Sequence, residues 1–262
     1  MNLNRFLYIN FPKQYGKIQG LLGYFFLPFK LILFKLNMNI FFGDKDQDRW
    51  VVEEIFDYKK NGFFLDLAAS DGLHGNNTFF LEKRLKWRGI CIEPNKKYFK
   101  KLVTRRTTQC ICEVIDKEKE GTVDFLPNGA EGGIIGDEYD NNEFKRHSLL
   151  LKARKKNKIE KRKSKTLLSI LNDCGAPKTI DFFSLDVEGA ETNILKNFPF
   201  EKYKFLSLTI ERPTEEINKI LFSNDYLFVR NYKVDGFYIH KSLKDKINIR
   251  YEKFIQINKK SW

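Results

Sequence analysis

Phe63-Phe64-Leu65-Asp66-Leu67-Ala68-Ala69-Ser70-Asp71-Gly72 is an apolar run that breaks into small and acidic residues, the pattern of a buried strand followed by a tight loop. The loop continues as Leu73-His74-Gly75-Asn76-Asn77-Thr78. Gly72 supplies backbone freedom. Asn77 or Thr78 can cap the next helix, whose free N–H groups then face a ligand carboxylate. In an open parallel sheet the ligand sits at the carboxyl ends of the strands, where strand order reverses, and the loop after the first strand is the usual place.

The rest of the chain fits that start. Helical spacing over Thr78 to Leu85 and Tyr98 to Arg105 alternates with strand-like runs at Gly89 to Glu93 and Gln109 to Val114, so a parallel sheet with right-handed crossovers is expected. Thr122 to Leu126 reads as a short extra strand. The alternation resumes with helices at Leu167 to Leu171, Ala190 to Asn197 and Glu215 to Phe222, and strands at Ile180 to Val187 and Phe205 to Ile210. Further strands are expected near Tyr226 to Arg230, Phe237 to His240 and Phe254 to Ile257. Glu143 to Lys165 is crowded with Lys and Arg and lacks an apolar stripe, so it reads as a basic insertion, a solvated helix or mobile excursion. Upstream, Trp50 to Phe56 has helical spacing, with Asp46 or Asp48 as cap and Asn61-Gly62 as stop. Residues 1–45 are thus an N-terminal extension and 46–262 the main domain.

A chain of 262 residues, 42% of them hydrophobic, can bury one core, which excludes disorder. The net charge of +13 is compatible with an anionic neighbour such as nucleic acid, an acidic glycan or membrane headgroups, and equally with a basic surface that has no partner. Cys91, Cys110, Cys112 and Cys174 show no zinc spacing, and the chain does not open on a secretory pattern, so free thiols in the cytoplasm are expected. The apolar stretch Leu21 to Leu36 contains Pro28, Lys30 and Lys35. As a helix its ~16 residues would span roughly 24 Å against a ~30 Å hydrocarbon core. It can lie in a membrane interface or pack on the sheet, but it does not span.

A dinucleotide enzyme needs a glycine triplet in the first loop, where the backbone meets pyrophosphate. This loop instead has Asp66 and Asp71 beside two glycines, and acids repel pyrophosphate. S-Adenosylmethionine presents an ammonium and a sulfonium, which acids attract. Glu93, roughly twenty residues beyond the glycine loop, is placed to accept hydrogen bonds from ribose hydroxyls of either cofactor.

The first loop, Leu81-Glu82, Trp87-Arg88-Gly89-Ile90-Cys91-Ile92-Glu93-Pro94-Asn95 and Leu185-Asp186-Val187-Glu188-Gly189-Ala190-Glu191 resemble the FkbM family of methyltransferases, in order from about Gly62 to His240. The resemblance implies an α/β, Rossmann-like class I methyltransferase fold, a mostly parallel seven-stranded sheet with helices on both faces. It also implies S-adenosylmethionine as cofactor and a hydroxyl of a sugar or glycan as acceptor. On this chain Asp66, Ala68, Ser70, Asp71, Gly72 and Asn77 would surround the methionine part, with Glu93 and Asn95 on the ribose; Thr78, as a candidate cap, joins the cofactor-binding residues. Ala68-Ala69-Ser70 departs from the commoner Gly-Ala-Asn, and Glu143 to Lys165 does not align.

Asp186 ends its strand, Glu188 follows two positions on, and Glu211 ends the next strand before Pro213. The three acids are expected to converge as the catalytic group. A carboxylate there can take the hydroxyl's proton or hold a divalent metal that lowers the hydroxyl pKa. His74 and His240 are weaker candidates for the base. The text after the fourth strand lacks the Asn/Asp-Pro-Pro-aromatic motif of base N-methylation. RNA ribose methylation remains the alternative, with the basic run on a phosphate backbone, but no aromatic stacking motif interleaves that run. A non-catalytic basic binding protein on the same fold is a further alternative, and an anionic or lipid-linked sugar explains the same charge.

Overall fold

The computed structural model describes residues 26–43, 45–117, 121–129, 132–136, 139, 158–249 and 251–252. Helix α1 covers 26–35. Helix α2 begins at Gln47–Arg49 and runs on as a π-helix over Trp50–Ile55. The chain then gives β1 (Phe63–Leu67), α3 (Phe79–Leu85), β2 (Arg88–Ile92), α4 (Lys96–Arg105), β3 (Gln109–Ile111), β4 (Val114–Ile115), β5 (Thr122–Leu126), β6 (Gly133–Ile135) and β7 (Glu160–Lys165). It continues with α5 (Leu167–Asp173), β8 (Thr179–Leu185), α6 (Glu191–Lys196), β9 (Lys204–Glu211), α7 (Glu215–Ser223), β10 (Tyr226–Tyr232), β11 (Asp235–His240) and a short 3-10 helix (Lys241–Leu243).

The main sheet has seven strands in the order β10-β11-β9-β8-β1-β2-β3. The five from β9 to β3 pair in parallel, and β11 runs antiparallel to both its neighbours. The chain builds outward from β1 to β3, then returns to the other side of β1 as β8 and β9. The β1/β8 boundary is therefore the switch point at which such sheets bind ligands. This is the Rossmann-like class I methyltransferase architecture.

Strand pleating sorts the core into two layers. Leu65, Leu67, Ile92, Phe183 and Leu185 face a cluster completed by Leu171, Leu195 and Leu221. Phe64, Cys91, Phe182 and Phe237 face another, completed by Trp50, Phe80 and Leu102. Successive residues of β1 point to opposite faces, as period two demands. Gly89 of β2 has no room for a side chain, because a Cβ there would lie 2.4 Å from the Phe64 carbonyl oxygen.

A second sheet, β4-β7-β5-β6, sits in the crossover between β3 and β8. Its strand β7 belongs to the stretch read from sequence as a solvated helix or excursion. It is a strand because β4 and β5 pair with it on both sides, although its Glu-Lys-Arg-Lys-Ser-Lys sequence carries no apolar alternation. Residues 143–157 of that stretch, 21–25 of the apolar segment and the expected strand Phe254 to Ile257 lie outside the described residues. The expected strand Gln109 to Val114 is split, with Val114 turning into the second sheet. All four cysteines are free thiols.

Candidate functional site

A cavity of about 410 Å³ opens at the carboxyl ends of β1, β2, β8 and β9, roofed by the second sheet. Its walls are apolar at Leu67, Ile92, Ile115, Phe125 and Ile134, and acidic at Asp71, Glu93, Asp186, Glu188 and Glu211. The volume suits a small organic ligand.

The β1 loop lines one end through Ala68, Ser70 and Asp71. Ala68 and Ser70 hold φ values of 66° and 51°, a left-handed backbone that non-glycine residues adopt only when the surroundings enforce it. Here Glu93 helps: one carboxylate oxygen accepts from the Ser70 N–H at 2.8 Å and the other from the Asn95 N–H at 2.7 Å. Burial, with Asp66 adding to it, raises Glu93 to about 7 despite those two donors. Asp71 accepts from the Leu73 and His74 N–H groups and pairs with Arg105 at 2.6 Å. Burial would raise its carboxyl, but these donors and the guanidinium hold it below its ordinary value.

The remaining residues expected to surround the cofactor do not line the cavity. Asp66 lies two positions from Phe64 and so shares its face, turned into the layer under the loop. There it accepts from Asn76 Nδ2 at 2.9 Å and Thr78 Oγ1 at 2.6 Å, while Arg106 reaches Glu82, Asn76 and Thr78. Asp66 and Thr78 are thus struts of the loop. Thr78 stands at the N-cap of α3 without a side-chain cap bond. Asn77 donates to Ser184 Oγ, Gly72 (φ 77°) packs on Leu102 and Arg106, and Asn95 caps α4 through the Lys97 N–H.

At the other end, Asp186, Glu188 and Glu211 do come together, each offering a carboxylate oxygen within 4.8 Å of the others. Glu188 (φ 58°) and Arg212 (φ 43°) are both left-handed. The turn at Glu188 is held by buried Glu191, whose carboxylate accepts from the Val187 N–H at 2.9 Å and the Gly189 N–H at 3.0 Å.

Among the residues to which sequence reasoning gave no role is Lys45. Its Nζ lies 2.8 Å from Asp235, 3.6 Å from Glu211 and 4.0 Å from Asp186. Asp235 also accepts from Gln47 Nε2, and Gln47 Oε1 accepts from Thr209 Oγ1, a buried chain of bonds that seats the segment before α2 against β9 and β11. Burial alone would lower the Lys45 pKa, but Asp235, Glu211 and Asp186 outweigh it and raise it. Burial likewise raises Asp186, with Glu211 adding to the effect, and lifts Glu188 to about 8. Against its own burial, Glu211 is held below its ordinary value by Lys45 and Arg212. Arg212 Nη1 lies 2.9 Å from Glu211. The one clue to Lys45 was that its short polar stretch lies between the apolar anchors Phe41-Phe42 and Trp50-Val51-Val52. Asp48, read as a cap, is instead buried and accepts from the Phe42, Gly43 and Arg49 N–H groups, with burial raising it to about 6. Asp46 occupies the N-cap position without a side-chain cap bond.

Residues 66–234 match the model of the methyltransferase FkbM domain. The chain belongs to the FkbM methyltransferase family. No curated protein matches the sequence. Among solved structures, TrmK of M. capricolum in complex with S-adenosylhomocysteine is 12% identical with a TM-score of 0.38, over 80% of this chain and 70% of that one. The FkbM methyltransferase from Methylobacillus flagellatus KT is 16% identical with a TM-score of 0.40, over 70% of this chain and 44% of that one. This chain therefore spans less than half the Methylobacillus protein. A human methyltransferase 10 domain containing protein is 10% identical with a TM-score of 0.38, over 75% of this chain and 80% of that one.

The cavity of this FkbM methyltransferase fits S-adenosylmethionine by its chemistry. An apolar slot suits the adenine ring, Glu93 can accept from ribose hydroxyls, and the carboxylates at either end suit a ligand that carries two cationic centres. Of the basic run read as a track for RNA, only residues 158–165 are described. Lys161 pairs with Asp124 at 2.7 Å, Lys165 lies 3.6 Å from Asp173, and Arg162 donates to the Pro94 carbonyl oxygen at 2.8 Å.

Proposed function

We propose that this FkbM methyltransferase is an O-methyltransferase that transfers the methyl group of S-adenosylmethionine to a hydroxyl of a sugar or glycan. The observation that carries the reading is the convergence of Asp186, Glu188 and Glu211 at one end of the cavity, a set of acceptors suited to a polyol. When bound, the cofactor supplies an electrophilic methyl group. Ala68, Ser70 and Asp71 bound the end where its methionine part would lie, and Glu93 takes the ribose.

The three acids divide the remaining work by environment. Glu211, kept ionised by Lys45 and Arg212, fixes the charge of the cluster and, with Asp186, orients the acceptor. Glu188, with its carboxyl at about 8, is the base that takes the hydroxyl proton as the new C–O bond forms. A base poised near the working pH contributes about 10²–10⁴-fold. Lys45 Nζ balances charge that a divalent ion would otherwise meet, so the proposed reaction uses the lysine as its cation.

The test is transfer of labelled methyl from S-adenosylmethionine to a panel of mono- and oligosaccharides, with RNA as a control acceptor. The reading predicts labelled sugar, a rate that rises with pH through about 8, and loss of that rise with a 10²–10⁴-fold fall in kcat for Glu188→Gln. Calorimetric cofactor binding with labelling of RNA alone would overturn it.

A further inference from the structure

Among the described residues, helix α1 packs on the body by one side. Leu27, Leu31 and Phe34 pack against Phe42, Leu73 and Phe79. The joint is fixed by Arg84, whose guanidinium lies 4.2 Å from the Phe34 ring and whose Nη1 donates to Asn37 Oδ1 at 2.6 Å. Lys30 Nζ adds a bond to the Phe41 carbonyl oxygen at 3.2 Å. On the opposite side Phe26, Phe29, Ile32 and Leu36 are 51%, 56%, 56% and 68% exposed. At 3.6 residues per turn these four fall on one strip, with exposed Lys35 on its flank.

We infer that this strip is a docking surface for an anionic lipid bilayer, in which α1 lies flat with Phe29, Ile32 and Leu36 inserted among the acyl chains. The charge of the segment selects an anionic lipid surface. Residues 26–43 contain Lys30 and Lys35 and no Asp or Glu, so nothing on the strip is repelled by anionic headgroups. No described helix is long and apolar enough to cross a membrane. The inner side is clamped to α3, so docking brings the catalytic body with it. The strap that follows α1 bridges Gly43 to Gly75 in the β1 loop and delivers Lys45 to the acids, which places the docked surface beside the cavity.

The experiment is flotation of the full chain with phosphatidylcholine vesicles, with and without phosphatidylglycerol, comparing wild type, Phe29→Glu/Ile32→Glu and Lys35→Glu. Both variants alter solvent-exposed positions, and circular dichroism and calorimetric cofactor binding check that the fold and the cavity are intact. Expected are flotation with the anionic vesicles, a loss of more than about tenfold in partitioning for the double variant, and a smaller loss, confined to anionic vesicles, for Lys35→Glu. Absence of flotation, or unchanged flotation of the double variant, would overturn the inference. So would a dimer in vesicle-free solution that the double variant dissolves, because the strip would then be an interface between two copies. Cofactor binding is read separately, so failure of docking leaves the methyltransferase reading standing.

Discussion

Replacing Lys45 by methionine keeps the length of the side chain and removes the charge that three carboxylates face. At an effective dielectric of about 20, an ion pair at the Lys45–Asp235 separation of 2.8 Å is worth about 6 kcal/mol. Most of that offsets the burial of the two ions, so the net loss on removing one partner is about 3–5 kcal/mol. The pH dependence separates this account from simple loss of packing. In the wild type, burial raises Asp235 to about 6 while Lys45 opposes the rise; without the lysine, Asp235 and Asp186 rise further. A carboxyl whose folded pKa exceeds its unfolded value loses stability as pH climbs from the unfolded value to the folded one. The Lys45 pKa is raised, so its own contribution is complete below about 10.4 and constant across the range tested. The variant's deficit is therefore largest in mild alkali and shrinks as pH falls, by about 1.4 kcal/mol per unit for each carboxyl that takes a proton. Urea unfolding at about pH 5.5 and about pH 8.5 measures it. Equal deficits at the two pH values, or a deficit below about 0.5 kcal/mol at the higher one, would refute the reasoning.

Glu93→Gln should weaken S-adenosylmethionine binding about tenfold or more, the worth of a charge-assisted hydrogen bond. Because Glu93 sits at about 7 and binds as the carboxylate, wild-type affinity should rise with pH through that value and the variant's should not, as calorimetry across the range will read. Glu191→Ala leaves the Val187 and Gly189 N–H groups without their acceptor. It should cost about 3 kcal/mol in chemical denaturation, with the turn at Glu188 released and methyl transfer lost before folding is. Gly89→Ala forces a Cβ to within 2.4 Å of the Phe64 carbonyl oxygen and so pries β1 from β2; a loss of about 3 kcal/mol or more is expected, and a thermal midpoint equal to wild type would contradict the close pairing.

Sequence periodicity reaches some of these features and not others, for physical reasons. Asp186 and Glu211 were legible because a strand that runs into Gly or Pro has an identifiable end, and parallel strand ends share an edge. The side to which Asp66 turns was not legible, because a strand position one step from the end points to a face, and only the packed layers decide whether that face is cavity or core. Strand β7 carries none of the β-branched or aromatic residues that mark strands, since pairing on both sides does the work that propensity does elsewhere. Lys45 and Glu191 are the deeper omissions. Lys45 meets Asp235 across 190 positions of chain, a contact that no local pattern encodes, and Glu191 acts by reaching back to backbone donors of a turn whose shape is itself set by the fold.

Charge segregation narrows the acceptor further. The chain carries +13 overall, yet the cavity is lined by Asp71, Glu93, Glu113, Asp186, Glu188 and Glu211, with Lys45 the one lysine or arginine among its described lining residues. The basic exterior and the acidic cavity therefore select opposite charges. Under the proposed function, the end of the acceptor that enters should be a neutral polyol, with any phosphate or carboxylate left outside against the lysines. A carboxylate on the sugar about 6 Å from one ionised acid of the cluster would cost about 3 kcal/mol at an effective dielectric of about 20, about a hundredfold in kcat/KM. Matched neutral and uronic-acid forms of one acceptor test this directly, and added salt should narrow the gap as the repulsion is screened. Equal kcat/KM for the two forms would mean that the acceptor approaches from a direction the acids do not face, and Glu188 would lose its place as the base.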